Sequence, residues 1–438
     1  MKRILLGSLS VGGGHTALRD SMATALSAWD PEGRVLECRS FEIQNKRVSD
    51  FYDFCIHKAP FLQQLMFRLS DHRRSLHITS LFKPQLEADV QRMLLHHRPD
   101  LVLSTHFLLS SLLVRARRRL RLTLPILSAI PDYGAPTRLF APSQAAYRMD
   151  ALIVMEPQVR ERLLRRGEYA PSQVHLSGFI PHEPFLQMGQ ELGDTPRLPA
   201  SSRRALLEAL RARHPQLRNV DGSRPTILFL GGSAWTEKTL PVLERLLNTP
   251  ALLEHLNVVV VCGRNELFRD TLMARVGARP RWAIFGFVDS GLMARLMVLA
   301  DVPVLGSLAP ASMHELMETR CGPLMLFHIN PGSEDAHPAY IREQEIGLYE
   351  TDPADMVELL AQATGLHPPG PLMAHLLSVY PERMRALRAA NRERASRLGP
   401  FLARWLGEST SSSADAHGPT PAALEPLTSR ASPRPARD

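Results

Sequence analysis

The sequence predicts an α/β protein made of two doubly wound, parallel-sheet units with a cleft between them. Three observations predict it. The chain opens on a short apolar strand, Ile4 to Leu6, that leads through Gly12-Gly13-Gly14-His15 into a helical pattern, Thr16 to Ala28. Strand, glycine-rich turn and helix are the first step of a Rossmann-like unit. Strands and helices then alternate as far as Pro181, and a second alternating series starts at Thr226. A polar stretch from Gly189 to Ser202 separates the two series. A chain of 438 residues has room for two such domains.

Each element has its own signal. Arg34 to Cys38 reads as the second strand. Phe51 to Leu69 is apolar and aromatic, and Leu86 to His96 is an amphipathic helix. Arg98-Pro99-Asp100 turns into the strand Leu101 to Ser104, which ends at Thr105-His106 and gives way to a helix at Leu108. Pro125 to Ile130 is a strand ending at Pro131-Asp132-Tyr133-Gly134. Ala151 to Val154, the helix Gln158 to Arg166, and Val174 to Ser177 complete a set of six strands. The second series reads as strands at 226–230, 258–262, 283–287, 302–305 and 323–327. Leu372 to Leu406 is mostly helical, and from Glu408 a Ser/Pro/Ala/Thr composition predicts disorder. The expected boundaries are a first domain at 1–188, a linker region at 189–224, a second domain with a closing helix at 225–406, and a disordered tail at 407–438.

Composition narrows the function classes. Lys and Arg number 52 against 44 Asp and Glu, a formal charge of +8. A basic chain suits a phosphorylated ligand, an anionic membrane surface or nucleic acid. No nucleic-acid-binding signature accompanies the charge, which argues against the last. Cys38, Cys55, Cys262 and Cys321 are far apart and form no C-x-x-C pair, so neither zinc nor a disulfide framework is indicated. No apolar run is long enough to cross a bilayer, and the opening strand does not read as a signal peptide. The expectation is a cytoplasmic protein.

The glycine turn places His15 at the carboxyl end of the first strand, where open α/β sheets bind ligands. It is not a Walker A loop, because no Gly-Lys-Ser/Thr follows. It fits the dinucleotide fingerprint only in relaxed form, with Ala17 where the third glycine stands. On the glycines alone, a tight turn with a solvent-exposed histidine fits equally well. A second segment runs Met313-His314-Glu315-Leu316-Met317-Glu318, then Cys321 to Phe327, then Pro331-Gly332-Ser333-Glu334-Asp335-Ala336-His337. A helix N-terminus near Ala311 can hold a diphosphate. A carboxylate a few residues into that helix can accept from a ribose diol. Alone, this segment also fits a capped surface helix and an ordinary loop.

In this order the features resemble the monogalactosyldiacylglycerol synthase and processive diacylglycerol glucosyltransferase group of glycosyltransferase family 28. That family has the GT-B fold, two Rossmann-like domains facing each other across a cleft. The resemblance spans roughly residues 1 to 400. It is carried by Val11-Gly12-Gly13-Gly14-His15, Pro99 to His106, Pro131-Asp132-Tyr133, Ser177 to Pro181, Gly231-Gly232-Ser233, Glu315 and Pro331-Gly332-Ser333-Glu334. Four features depart from the family pattern. Leu308-Ala309-Pro310-Ala311-Ser312 stands in place of a glycine-rich loop, Ser333 and His337 replace Gln and Asn, and the stretch Asp132 to Arg138 lacks the family's His.

The resemblance implies an inverting transfer of a hexose from a UDP-sugar to a lipid acceptor such as diacylglycerol. The alternatives are a GT-B transferase acting on a soluble or polyprenyl acceptor, or an inactive nucleotide-sugar-binding protein with the altered 308–312 loop. His15 is the expected base or acceptor-positioning residue, and Asp132 orients it or takes the proton itself; an Asx turn explains Asp132 equally well. The donor is expected at Gly13, Gly14, Gly232, Ser233, Ser312, Glu315, Gly332, Glu334 and Asp335, with no metal and no cofactor beyond the UDP-sugar. The lipid side is expected at 59–83 and at the five arginines between Arg115 and Arg121, seated peripherally on the anionic inner face of the cell membrane. Apolar residues packed inside the domain and a solvated arginine face are the other explanation of those two segments.

Overall fold

A computed structural model of the chain describes residues 1–9, 13–44, 46, 50–51, 54, 59–70, 83–134, 138–193, 195, 198–231, 236–277 and 279–407. Gly12, Gly232, Ser233, the basic segment Asp71-His72-Arg73-Arg74 and the tail from Glu408 fall outside the described residues.

Two six-stranded sheets form the frame, and every strand pair in them is parallel. The first contains β1 (Lys2–Leu9), β2 (Leu36–Ile43), β3 (Leu101–Ser104), β4 (Ile126–Ile130), β5 (Ala151–Val154) and β6 (Val174–Leu176), in the order β2-β1-β3-β4-β5-β6. The second contains β7 (Thr226–Leu230), β8 (Asn257–Val261), β9 (Trp282–Phe285), β10 (Val302–Leu305), β11 (Leu324–Leu326) and β12 (Gly347–Tyr349), in the order β12-β11-β10-β7-β8-β9. The central strands β3, β4, β5, β7, β8 and β10 are buried along their whole length, as parallel strands covered on both faces must be. Strand order reverses between β1 and β3 in one sheet and between β7 and β10 in the other. Ligands bind open α/β sheets at such points.

The stretch expected as a linker, 189–224, carries the end of the helix Glu183–Glu191 and the whole helix Ala200–Arg211; Leu207 and Leu210 join the core of the second domain, as does Phe185 just before the stretch. β12 had no separate expectation; its short edge strand is seated because a side chain at Gly347 would strike the Leu324 carbonyl.

The helix Pro371–Ser396 connects the two halves. Its first turns bury Met373, Leu376, Tyr380 and Met384 in the second domain. Beyond it, the helix Leu398–Trp405 inserts Leu398, Phe401 and Leu402 into the core on one face of the first sheet, beside Leu18 and Met22. Phe401 stacks on His175 with ring centroids 4.1 Å apart. Gly178 makes this close approach possible, since a side chain there would collide with the backbone of Asn391 and Ala395.

Candidate functional site

The helix Gly13–Trp29 starts at the end of β1 and carries His15 on its first turn. His15 Nδ1 lies against the Thr105 carbonyl, and the Thr105 hydroxyl donates back to the His15 carbonyl at 2.9 Å. A carbonyl only accepts, so the ring proton belongs on Nδ1 and the Nε2 lone pair is open. Burial lowers the imidazole to about 4, so the ring is neutral near pH 7. The His106 ring packs edge-on against His15 at 4.5 Å. His106 caps the helix Phe107–Arg119, its Nδ1 accepting from the Leu108 N–H at 3.2 Å. His106 thus closes the first turn of that helix. Gly13 and Gly14 form the first turn of their helix, and nothing within 4 Å would obstruct a Cβ at either.

Asp132 follows β4, facing the second domain. Burial, and then the neighbouring Glu334 carboxylate, push it up to about 7. Next to it Tyr133 is enclosed by second-domain side chains. Its ring lies 4.5 Å from Tyr340 and 5.4 Å from His337, and its hydroxyl is 3.4 Å from His314 Nε2. Glu156, after β5, accepts from the Tyr340 hydroxyl and sits 3.9 Å from Arg394; burial raises it to about 7.

From the second domain the helix Pro310–Thr319 brings its N-terminal turn to the first domain. Pro310 occupies its first position, where a missing N–H breaks no helical bond but does remove one free donor from the end of the helix. Ser312 is buried there. Glu315 stands one turn in, is partly buried, and accepts no side-chain hydrogen bond among the described residues. Burial pushes it up to about 7. Ala311 packs against the apolar cluster of the first domain, and the helix bearing Glu315 touches the helix bearing His15.

The carboxylates of the loop 330–337 are bonded within the protein. Glu334 is buried; its Oε1 accepts from Ser307 at 2.5 Å and its Oε2 from the Asn330 N–H at 3.0 Å. It therefore ties this loop to the turn after β10. Asp335 accepts from the Gly332 N–H at 2.9 Å. Gly332 has φ +92, and Phe67 of the first domain lies where its side chain would be. His337 is buried with both ring nitrogens unpartnered among the described residues; His314 Nδ1 and the Asn330 side-chain oxygen are buried and unpartnered too. The sequence assigned no role to His314 or Glu156. The apolar neighbours of His314 and the strand-end position of Glu156 were the only signals of their place at the domain interface.

Phe67 belongs to the helix Pro60–Ser70, which exposes Phe61, Leu65 and Leu69 along one stripe at spacing i, i+4, i+8. The arginine cluster splits instead of forming one free face. Arg115 and Arg119 both pair with the buried Glu87, and Arg117 binds Asp150 and the Leu124 carbonyl. Arg118 and Arg121 stay exposed. No described helix is long and apolar enough to cross a membrane.

No family model matches the chain. Two curated relatives, both described as "Probable monogalactosyldiacylglycerol synthase 2, chloroplastic", come from Oryza sativa subsp. indica and subsp. japonica. Each is 25% identical over 294 residues, which is 61% of this chain and 52% of the relative. The chain thus spans about half the length of the curated relatives it matches. Among solved structures, the S. aureus MnaA–UDP co-structure is similar with TM-score 0.57 and 13% identity, over 95% of this chain and 100% of that one. UDP-GlcNAc 2-epimerase from Neisseria meningitidis bound to UDP-GlcNAc has TM-score 0.55 and 13% identity, over 92% and 99%. The α,α-trehalose 6-phosphate synthase from Burkholderia multivorans has TM-score 0.54 and 15% identity, over 93% and 96%. Two parallel six-stranded sheets and a helix crossing back to the first domain give this chain the GT-B fold.

Proposed function

We propose that the protein is an inverting glycosyltransferase that moves a hexosyl group from a UDP-sugar to the hydroxyl of a lipid such as diacylglycerol, working peripherally on the anionic inner face of the membrane. The observation that carries this reading is the contact between the helix of His15 and the helix of Glu315. It sets the helix that carries a neutral imidazole at one switch point beside the helix that carries Glu315 at the other. UDP then lies on the second domain, with its diphosphate at the start of Pro310–Thr319 and its ribose on Glu315. The unpartnered atoms of His314, Asn330 and His337 supply hydrogen-bonding capacity for the hexosyl hydroxyls. The resemblance to the rice relatives favours a glycolipid acceptor.

In the reaction, the acceptor oxygen forms a bond to the anomeric carbon as the bond from that carbon to the diphosphate oxygen breaks. The bonding pair leaves with UDP, towards the helix N-terminus. The acceptor proton passes to Asp132 or to His15 Nε2. Asp132, raised to about 7, matches the requirement of a general base at neutral pH, and His15 orients the hydroxyl. Phe61, Leu65 and Leu69 give a lipid surface an apolar stripe beside the cleft, on the helix whose Phe67 touches Gly332.

Incubation with a panel of UDP-sugars and membrane lipids, read by mass spectrometry, tests the proposal. A glycolipid one hexose heavier than its acceptor is expected. Absence of product across the panel, together with absence of UDP binding by calorimetry, would overturn it.

A further inference from the structure

We propose that the cavity beside the middle of the long crossing helix is a second binding site, which takes a small organic anion with an apolar body. The cavity has a volume of about 330 Å³ and opens between the end of Pro310–Thr319, the turn at Thr195 and the helix Pro371–Ser396. Met317, Tyr380 and Met384 form its apolar floor, and Arg320, Arg385 and Arg388 supply its charge. No carboxylate lines it among the described residues.

The lining has two parts with different chemistry. The two methionines are buried, unbranched and adaptable, so they suit an aliphatic or aryl group of irregular shape. The Tyr380 hydroxyl is committed to the Cys321 carbonyl, which leaves the ring as an apolar wall. The Arg320 guanidinium is held in place by the carbonyls of Gly189, Leu192, Gly193 and Thr195. Arg385 is exposed and has no acidic partner among the described residues. Apolar walls with a few charged groups at one end are the usual make-up of a small-molecule site, and the volume is in the range such sites have. A short chain or ring bearing a phosphate or carboxylate fits a space of this size and lining. The inference stands apart from the transfer reading, because the cavity lies at the far end of the helix whose N-terminal turn meets the first domain.

Octyl phosphate below its aggregation concentration is the probe, measured by calorimetry on the full chain beside inorganic phosphate and octanol. One saturable site is expected, binding octyl phosphate at least tenfold more tightly than either partial probe. Arg385→Gln should weaken binding about tenfold and Arg385→Lys should retain most of it, with thermal unfolding unchanged in both. Competition with vesicles of anionic phospholipid would support the site with a bilayer source for its ligand. Absence of competition, with octyl phosphate still bound, would support it with a soluble source. Equal affinity for inorganic phosphate or octanol, no saturable binding, or full affinity in Arg385→Gln would overturn the proposal.

Discussion

Asn391 of the crossing helix pairs both ends of its amide with the backbone of Phe179: Oδ1 accepts from the Phe179 N–H at 2.8 Å, and Nδ2 donates to the Phe179 carbonyl at 2.6 Å. The amide thereby stands in for a strand neighbour that the segment after β6 lacks. It also fixes the helix to the first domain where Gly178 brings it closest.

Replacing Asn391 with Ala removes both bonds and leaves two buried backbone groups unpaired. The expected cost is about 1–3 kcal/mol, read as a lower midpoint in urea unfolding. An unchanged midpoint would mean that the apolar contacts of Leu398 and Phe401 alone hold the helix.

Glu315→Ala should weaken UDP binding by roughly 1.5–3 kcal/mol, the worth of a hydrogen bond to a charged group. Calorimetry with UDP checks this, and equal affinity in a folded variant refutes the ribose assignment. Stability carries a separate signal. Burial raises Glu315 to about 7, above its ordinary carboxylate value, so the native state holds the proton more tightly than the unfolded chain does. The stability gained from the protonated form is complete at acid pH and lost as pH rises towards 7 and beyond. Glu315→Gln should therefore melt above the wild type near pH 8 and close to it near pH 5.

His15→Ala should keep UDP affinity and lose transfer by about 10²–10⁴-fold, the usual worth of a positioned acid or base. The pH profile separates the two candidate bases. If His15 takes the proton, activity rises with pH in the acid range, through the value of about 4 to which burial lowers it, and not through the ordinary imidazole range.

If Asp132 takes the proton, the ascending limb lies near 7, where burial and Glu334 place its carboxyl. Asp132→Asn should then remove that limb and lower the rate by a similar factor. A profile that keeps its limb near 7 in Asp132→Asn would transfer the role to another group.

Phe61→Ser together with Leu65→Ser should reduce co-sedimentation with anionic vesicles several-fold while leaving the melting temperature unchanged, because both side chains are exposed. Arg118→Gln should reduce it further at low salt only. Wild-type sedimentation in the double variant would assign the stripe another role.

The strands were legible because buried parallel strands are continuous apolar runs with sharp ends: Leu101 to Ser104 and Thr226 to Leu230 are read directly from composition. The residues at the strand ends followed, since His106 and Asp132 each stand just beyond such a run and His15 follows the glycine turn after β1. The ligand assignments of Ser312, Glu315 and the 331–335 loop stay part of the proposal. Relationships between distant segments were less legible. Nothing local shows that Arg117 pairs with Asp150, or that Glu87 draws Arg115 and Arg119 away from a membrane face. The helices at 183–191 and 200–211 were hidden by polar residues, because each buries only a narrow side against the second domain.

The return of Leu398, Phe401 and Leu402 to the first sheet sets a condition on synthesis. The first domain leaving the ribosome has six strands ready to pair, yet one face of its core stays open until Leu398, Phe401 and Leu402 have been made. During that interval Leu18 and Met22 lack part of their native cover, and the nascent domain exposes apolar surface of the kind that chaperones bind. A stop codon that removed Leu398–Trp405 would therefore injure the first domain, although the lesion lies beyond the second.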